Sequence, residues 1–224
     1  MPHSRHKIHL YKDYRYIARE YYRGAVFVAF DTETTGLHAD SDFLMEIGAV
    51  KFNCGGTIGE PFDQLIQPPV SIPPFLTELT HITNSMVQGM PTAASVVPEF
   101  LKFVGDSRVI LLAHNAPFDV GFINVELERA LIDPLPNRVI DTLPLSRWAY
   151  PNCAEEGESG VYKLQSLAKR LSIPVHAAHR ANDDARVCMD LFTRIVQDTI
   201  ERQKSWKQHA TAVSYPNPIQ PELF

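Results

Sequence analysis

Two acids, Asp31 and Glu33, stand one residue apart at the end of the apolar run AVFVAF (residues 25–30). On an extended backbone residues i and i+2 share a face, so both carboxylates point the same way. Burying one unpaired carboxylate beside a core is costly, and two also repel each other. The pair is either an acidic strand end left in water or half of a divalent-metal site, for which oxygen ligands are the natural donors.

Three more residues extend the set. Asp119 falls in the first turn of a helix that follows the apolar run RVILLAHN (108–115), where an acid is also favoured by the helix dipole alone. In the last helix the apolar stripe runs through Val187, Cys188, Leu191, Ile195 and Val196. Asp184 heads that stripe, whereas Asp183 lines up with Arg186 and Asp190 on the polar face. The acid on the buried face is the better ligand, and Asp183 is expected in solvent. His179 and Asp184 would be ~140° apart on a continuous helix. His179 is therefore expected in the preceding loop, leaning over the metals, where an imidazole that titrates near neutrality suits general-base work. Its neighbour His176 has no such argument.

These residues need a scaffold. AVFVAF (25–30) and LMEIGAVKF (44–52) read as strands, with Gly55-Gly56 turning into a third, PFDQLIQP, as an antiparallel meander. RVILLAHN has the continuous apolar character of a central parallel strand. The next segment puts Phe118, Phe122, Ile123, Leu127, Ala130 and Leu131 on one helical face, with Pro117 in the first turn. RVIDTLPLSRW gives a strand leading into a helix, KLQSLAKRL another helix, and a long one from about 181 to 202 closes the domain. The expected class is α/β, a mixed sheet flanked by helices.

At this level of detail FDTETTG (30–36), HNAPFDVGF (114–122) and HRANDDA (179–185) resemble, in order, the three motifs of the DEDDh class of 3′→5′ exonucleases. That class includes the proofreading (epsilon) subunit of bacterial replicative DNA polymerases. EIGAV (46–50), THIT (80–83) and DTLPLSR (141–147) agree with it. The resemblance implies a ribonuclease H-like fold over residues 25–202. It implies that Asp31, Glu33, Asp119 and Asp184 hold two Mg²⁺ or Mn²⁺ ions and that His179 deprotonates the attacking water. Four carboxylates and two divalent ions cancel in charge, which answers the puzzle of the opening acids. The Thr34–Gly36 backbone (Thr34, Thr35, Gly36), with Glu46 and Asn115, is expected to position the terminal nucleotide. The implied substrate is a single-stranded or frayed DNA 3′ end, with a DNA polymerase as partner. An RNA-trimming enzyme of the same fold stays open, since nothing in the catalytic set separates DNA from RNA. A non-catalytic polymerase or clamp adaptor is the reading from a different class, and the filled acid set argues against it.

The chain has 224 residues, and no stretch approaches the ~20 apolar residues of a membrane span. Three widely spaced cysteines without a CxxC pair argue against a zinc site or disulfides and suggest a reducing cytoplasm. Net charge is −5, split between +4 in residues 1–23 and −9 in the remainder. Residues 1–24 read as a basic helical arm, with Leu10, Tyr14, Ile17 and Tyr21 on one face and Arg15, Arg19 and Arg23 on another. That arm either packs on the domain or meets phosphates or a polymerase. Residues 203–224 read as a flexible tail ending QPELF. Gln220, Leu223 and Phe224 there resemble a short peptide that docks on a bacterial DNA sliding clamp.

Overall fold

The computed structural model describes residues 8–153 and 159–212, without the side chains of 204–212. Its strands are β1 (His9–Leu10), β2 (Phe27–Thr34), β3 (Leu44–Asn53), β4 (Gly56–Thr57), β5 (Phe62–Leu65), β6 (Ile110–Ala113) and β7 (Arg138–Asp141). Its helices are α1 (Ile17–Tyr22), α2 (Pro74–Thr80), α3 (Asn84–Val87), α4 (Ala93–Val104), α5 (Pro117–Arg129), α6 (Thr142–Ala149), α7 (Leu164–Arg170) and α8 (Ala181–Ala212). One mixed sheet carries the order β1-β7-β6-β2-β3-β4, with β5 also on β3. β1, β7, β6 and β2 run parallel, and β2–β3–β5 form the antiparallel meander read from the sequence. The class and architecture are those expected, a ribonuclease H-like mixed sheet flanked by helices.

Strand alternation divides the core into two layers. Phe27, Ala29, Ile110, Leu112 and Ile140 face α1, α6, α7 and α8, against Val187, Leu191 and Phe192. Val28, Phe30, Leu111, Ala113 and Val139 face α4 and α5, against Val97, Phe100, Val120 and Ile123. Every acid of interest lies at the sheet end where these layers meet.

Three details differ from the sequence reading. The arm is only partly helical: its first described residues add the edge strand β1, and Ile17 and Tyr21 alone of the four expected apolar residues are buried. α5 stops at Arg129, so Leu131, expected on its buried face, has a left-handed φ of 57° and is 96% exposed. α8 continues to Ala212 instead of ending near 202, which moves the start of the tail. Gln220, Leu223 and Phe224 lie outside the described residues. No helix among those described is long and apolar enough to cross a membrane.

Candidate active site

β2 continues past its apolar half through Asp31 and Glu33 to Thr34. Asp31 and Glu33 have the same parity as Phe27 and Ala29, so they project toward α8. There they meet Asp184 in the first turn of that helix, and one carboxylate oxygen from each of Asp31, Glu33 and Asp184 lies within 4.8 Å of the others. Asp184 is buried, as the apolar stripe requires. The Gln165 side-chain amide donates to its Oδ1, and the His179 backbone N–H donates to its Oδ2 at 3.2 Å.

Asp119 arrives from the opposite layer, in the first turn of α5, and is only 2% exposed. Thr32, between the two strand acids, has the opposite parity and reaches it. The Thr32 N–H and hydroxyl both donate to Asp119 Oδ1, at 3.0 and 2.8 Å. Asp119 stands outside the close triad, but its charge raises the pKa of Asp31.

The electrostatics are those of a site made for cations. Burial, followed by the charges of Asp119, Glu33, Asp184 and Glu46, holds Asp31 well above the ordinary carboxylate range. Burial and the charge of Asp184 push Glu33 up to about 8. Burial raises Asp119 to about 7 against the two Thr32 hydrogen bonds, which pull it down. Asp184 is also raised by burial, with the His179 N–H opposing. Converging carboxylate oxygens, two half-buried and one buried, with no thiol or imidazole among the close three, fit hard divalent ions such as Mg²⁺ or Mn²⁺.

β3 locks α8 in place. Gly48, paired with Asp31 across the β2–β3 ladder, lies under the first turn of α8. Two residues before it, Glu46 is 0% exposed. Its carboxylate accepts from the Arg180 guanidinium, the closest contact 2.5 Å, and from the Ala181 N–H at 2.9 Å. Glu46 was expected at the nucleotide; the structure places its carboxylate beneath the loop, engaged by Arg180 and Ala181. It also resolves the juxtaposition of Glu33 and Glu46 as cross-strand partners, since like charges facing each other need a cation. His179 sits in the expected loop, exposed, with a left-handed φ of 62° and its backbone N–H donating to Asp184. Asp183 is not simply solvated: its Oδ2 accepts from the N–H groups of His176 and Ala177, at 3.0 and 2.9 Å, and ties down the same loop.

The other residues expected at the nucleotide differ in availability. The Thr34 hydroxyl donates to the Gly36 carbonyl and the Thr35 hydroxyl accepts from the Phe43 N–H, so both side chains serve the turn. A Cβ on Gly36 would meet the Asp42 carboxylate at 2.3 Å, so any side chain there must displace Asp42 from the His38 N–H it accepts from. Asn115 is exposed, with φ 69° and its N–H held by Asp141 at 3.0 Å. Arg180, Gly48, Thr32 and Gln165 were not foreseen. Arg180 lies inside HRANDDA and Thr32 inside FDTETTG, but nothing in the spacing names their partners.

The model of the exonuclease (RNase_T) family matches residues 28–192, spanning β2 to α8 with all four acids and His179. The chain belongs to the exonuclease family. This exonuclease is 41% identical over 194 residues to the DNA polymerase III subunit epsilon of Treponema pallidum, covering 87% of each chain. It is 44% identical over 166 residues to the PolC-type DNA polymerase III of Clostridium perfringens, covering 74% of this chain and 11% of that one. E. coli exonuclease I in complex with a dT13 oligonucleotide shares its fold, with a TM-score of 0.67 at 21% identity over 80% of this chain and 43% of that one. The exonuclease thus spans nearly all of the epsilon subunit and a small part of the PolC-type polymerase.

Proposed function

We propose that this 3′→5′ exonuclease removes nucleotides from DNA 3′ ends during proofreading or repair, releasing nucleoside 5′-monophosphates. The observation that carries the reading is the approach of Asp31, Glu33 and Asp184 to within 4.8 Å, with the charge of Asp119 acting on Asp31 and Glu33 from the other layer. Two divalent ions, Mg²⁺ or Mn²⁺, held by these four carboxylates would activate water on one side of the phosphate and stabilise the leaving oxygen on the other. His179, exposed at the rim, accepts the proton of the attacking water. The water oxygen forms the new bond to phosphorus, the bond to the 3′ oxygen breaks, and that oxygen leaves as a hydroxyl with a proton from solvent. Glu46 and Arg180 keep the His179 loop in register. The epsilon relative supports DNA as substrate and a DNA polymerase as partner. Clamp docking through Gln220, Leu223 and Phe224 rests on the sequence alone, and deletion of 220–224 should weaken clamp binding while sparing cleavage of free strands.

The test is digestion of matched 5′-labelled DNA and RNA single strands with Mg²⁺, Mn²⁺ or EDTA. A metal-dependent ladder from the 3′ end, stronger on DNA, is expected, and preference for RNA would move the enzyme to RNA processing. Asp119→Ala should abolish cleavage in a protein that still folds; near-wild-type cleavage would remove Asp119 from the site.

A further inference from the structure

Beside the acid cluster runs an open groove of about 690 Å³ that the reaction as described does not use. Its walls come from the end of β6 (His114, Asn115), from α6 (Leu143, Arg147) and from the turn before α7 (Tyr162, Lys163). The chain ties both walls to the site. Asn115 precedes the helix that carries Asp119, and Lys163 lies two residues before Gln165, whose amide holds Asp184.

The walls are braced. The His114 Nε2–H donates to the Tyr162 carbonyl at 2.8 Å, since a carbonyl can only accept, and Nδ1 meets the Thr142 hydroxyl at 2.9 Å. Burial lowers the His114 pKa, so this strut is neutral. The charge comes from Arg147 and Lys163, which are exposed and ion-paired to no carboxylate among the described residues. Arg147 is held in place by the Tyr162 ring, its Cζ 5.7 Å from the centroid. Two cations without a carboxylate partner among the described residues, on a chain of net charge −5, form a local anion site.

A strand whose scissile phosphate lies at the acids must pass its next phosphates close by, within the ~8 Å over which charges act in physiological salt. We propose that this groove carries the phosphodiester backbone on the 5′ side of the scissile bond, with Arg147 and Lys163 each on a phosphate. The proposal rests on the exonuclease reading and adds the path of the strand.

Oligo-dT of 2, 4, 8 and 15 nucleotides would be digested by wild type, Arg147→Gln, Lys163→Gln, the double variant and Arg147→Lys. Binding would be followed in parallel by fluorescence anisotropy across a salt series with Ca²⁺. The loss in kcat/KM should grow with strand length, fall mainly on KM, and be largely rescued in Arg147→Lys. The slope of log affinity against log salt should flatten by roughly 0.7 for each phosphate contact removed. An equal loss at every length, or an unchanged salt slope in the double variant, would overturn the proposal. A wild type that cleaves nothing would count against the exonuclease reading instead, and the salt slopes would still decide the groove.

Discussion

Gly48 and Asn182 are in such close apposition that a methyl group on the glycine would stand 2.1 Å from the Asn182 amide nitrogen. The Ala181 carbonyl carbon would be 2.2 Å away, so backbone rather than a flexible side chain blocks the space. The first turn of α8 therefore rests on bare β3 backbone, which brings Asp184 down to Asp31 and Glu33.

Gly48→Ala should lift that turn. Overpacking of this kind costs about 1–3 kcal/mol, and misplacing a metal-site residue lowers metal affinity by about 10–100-fold. Calorimetric titration with Mn²⁺ beside a denaturant melt would measure both. Unchanged Mn²⁺ affinity would mean that α8 yields without moving Asp184.

Glu46→Gln addresses the other anchor of the same turn. The variant keeps the shape but loses the charge that the Arg180 guanidinium and the Ala181 N–H both address. Arg180 is 31% exposed and rehydrates when released, so the cost should stay near the about 1.5–3 kcal/mol of a charged hydrogen bond. Because the His179 loop is what shifts, kcat should fall with little change in KM. A variant in which only KM rises would place Glu46 at the nucleotide instead.

Thr32→Val tests the link between the layers. It removes the hydroxyl donor to Asp119 Oδ1 and keeps the backbone donor, nearly at constant volume. The hydroxyl hydrogen bond lowers the Asp119 pKa, so its loss should move the acidic limb of the pH–rate profile upward. An unmoved limb would show that Asp119 does not control it.

The parts of the site readable from sequence are those set by local periodicity. Period two put Asp31 and Glu33 on one face, and the α8 stripe separated Asp184 from Asp183. What escaped depends on contacts far apart in the chain. Glu46 and Arg180 are 134 residues apart, and Gly48 looks like any strand glycine until a helix is laid on it. Leu131 fits the helical stripe, but the chain leaves the helix two residues earlier. β1 is two residues long, too short for any pattern, and exists because the β7 edge offers it hydrogen bonds.

The raised carboxylates also fix how stability follows pH. Asp31, Glu33, Asp119 and Asp184 all titrate above their ordinary values in the folded chain, Asp119 at about 7 and Glu33 at about 8. Between the unfolded carboxylate value of ~4 and that range, the native state holds protons that the unfolded state has released. Stability must then fall as pH rises through the window and level off above it. The EDTA-treated protein should therefore melt at a lower temperature at pH 8 than at pH 5. Mn²⁺ binds the deprotonated carboxylates and should reverse the trend, adding about 2.7 kcal/mol at a hundredfold excess over Kd. Its effect should be larger at pH 8 than at pH 5. Scanning calorimetry at both pH values, with EDTA and with Mn²⁺, gives the four melting temperatures. A metal-free protein that melts higher at pH 8 would show that these acids are not held in the protonated state the burial demands.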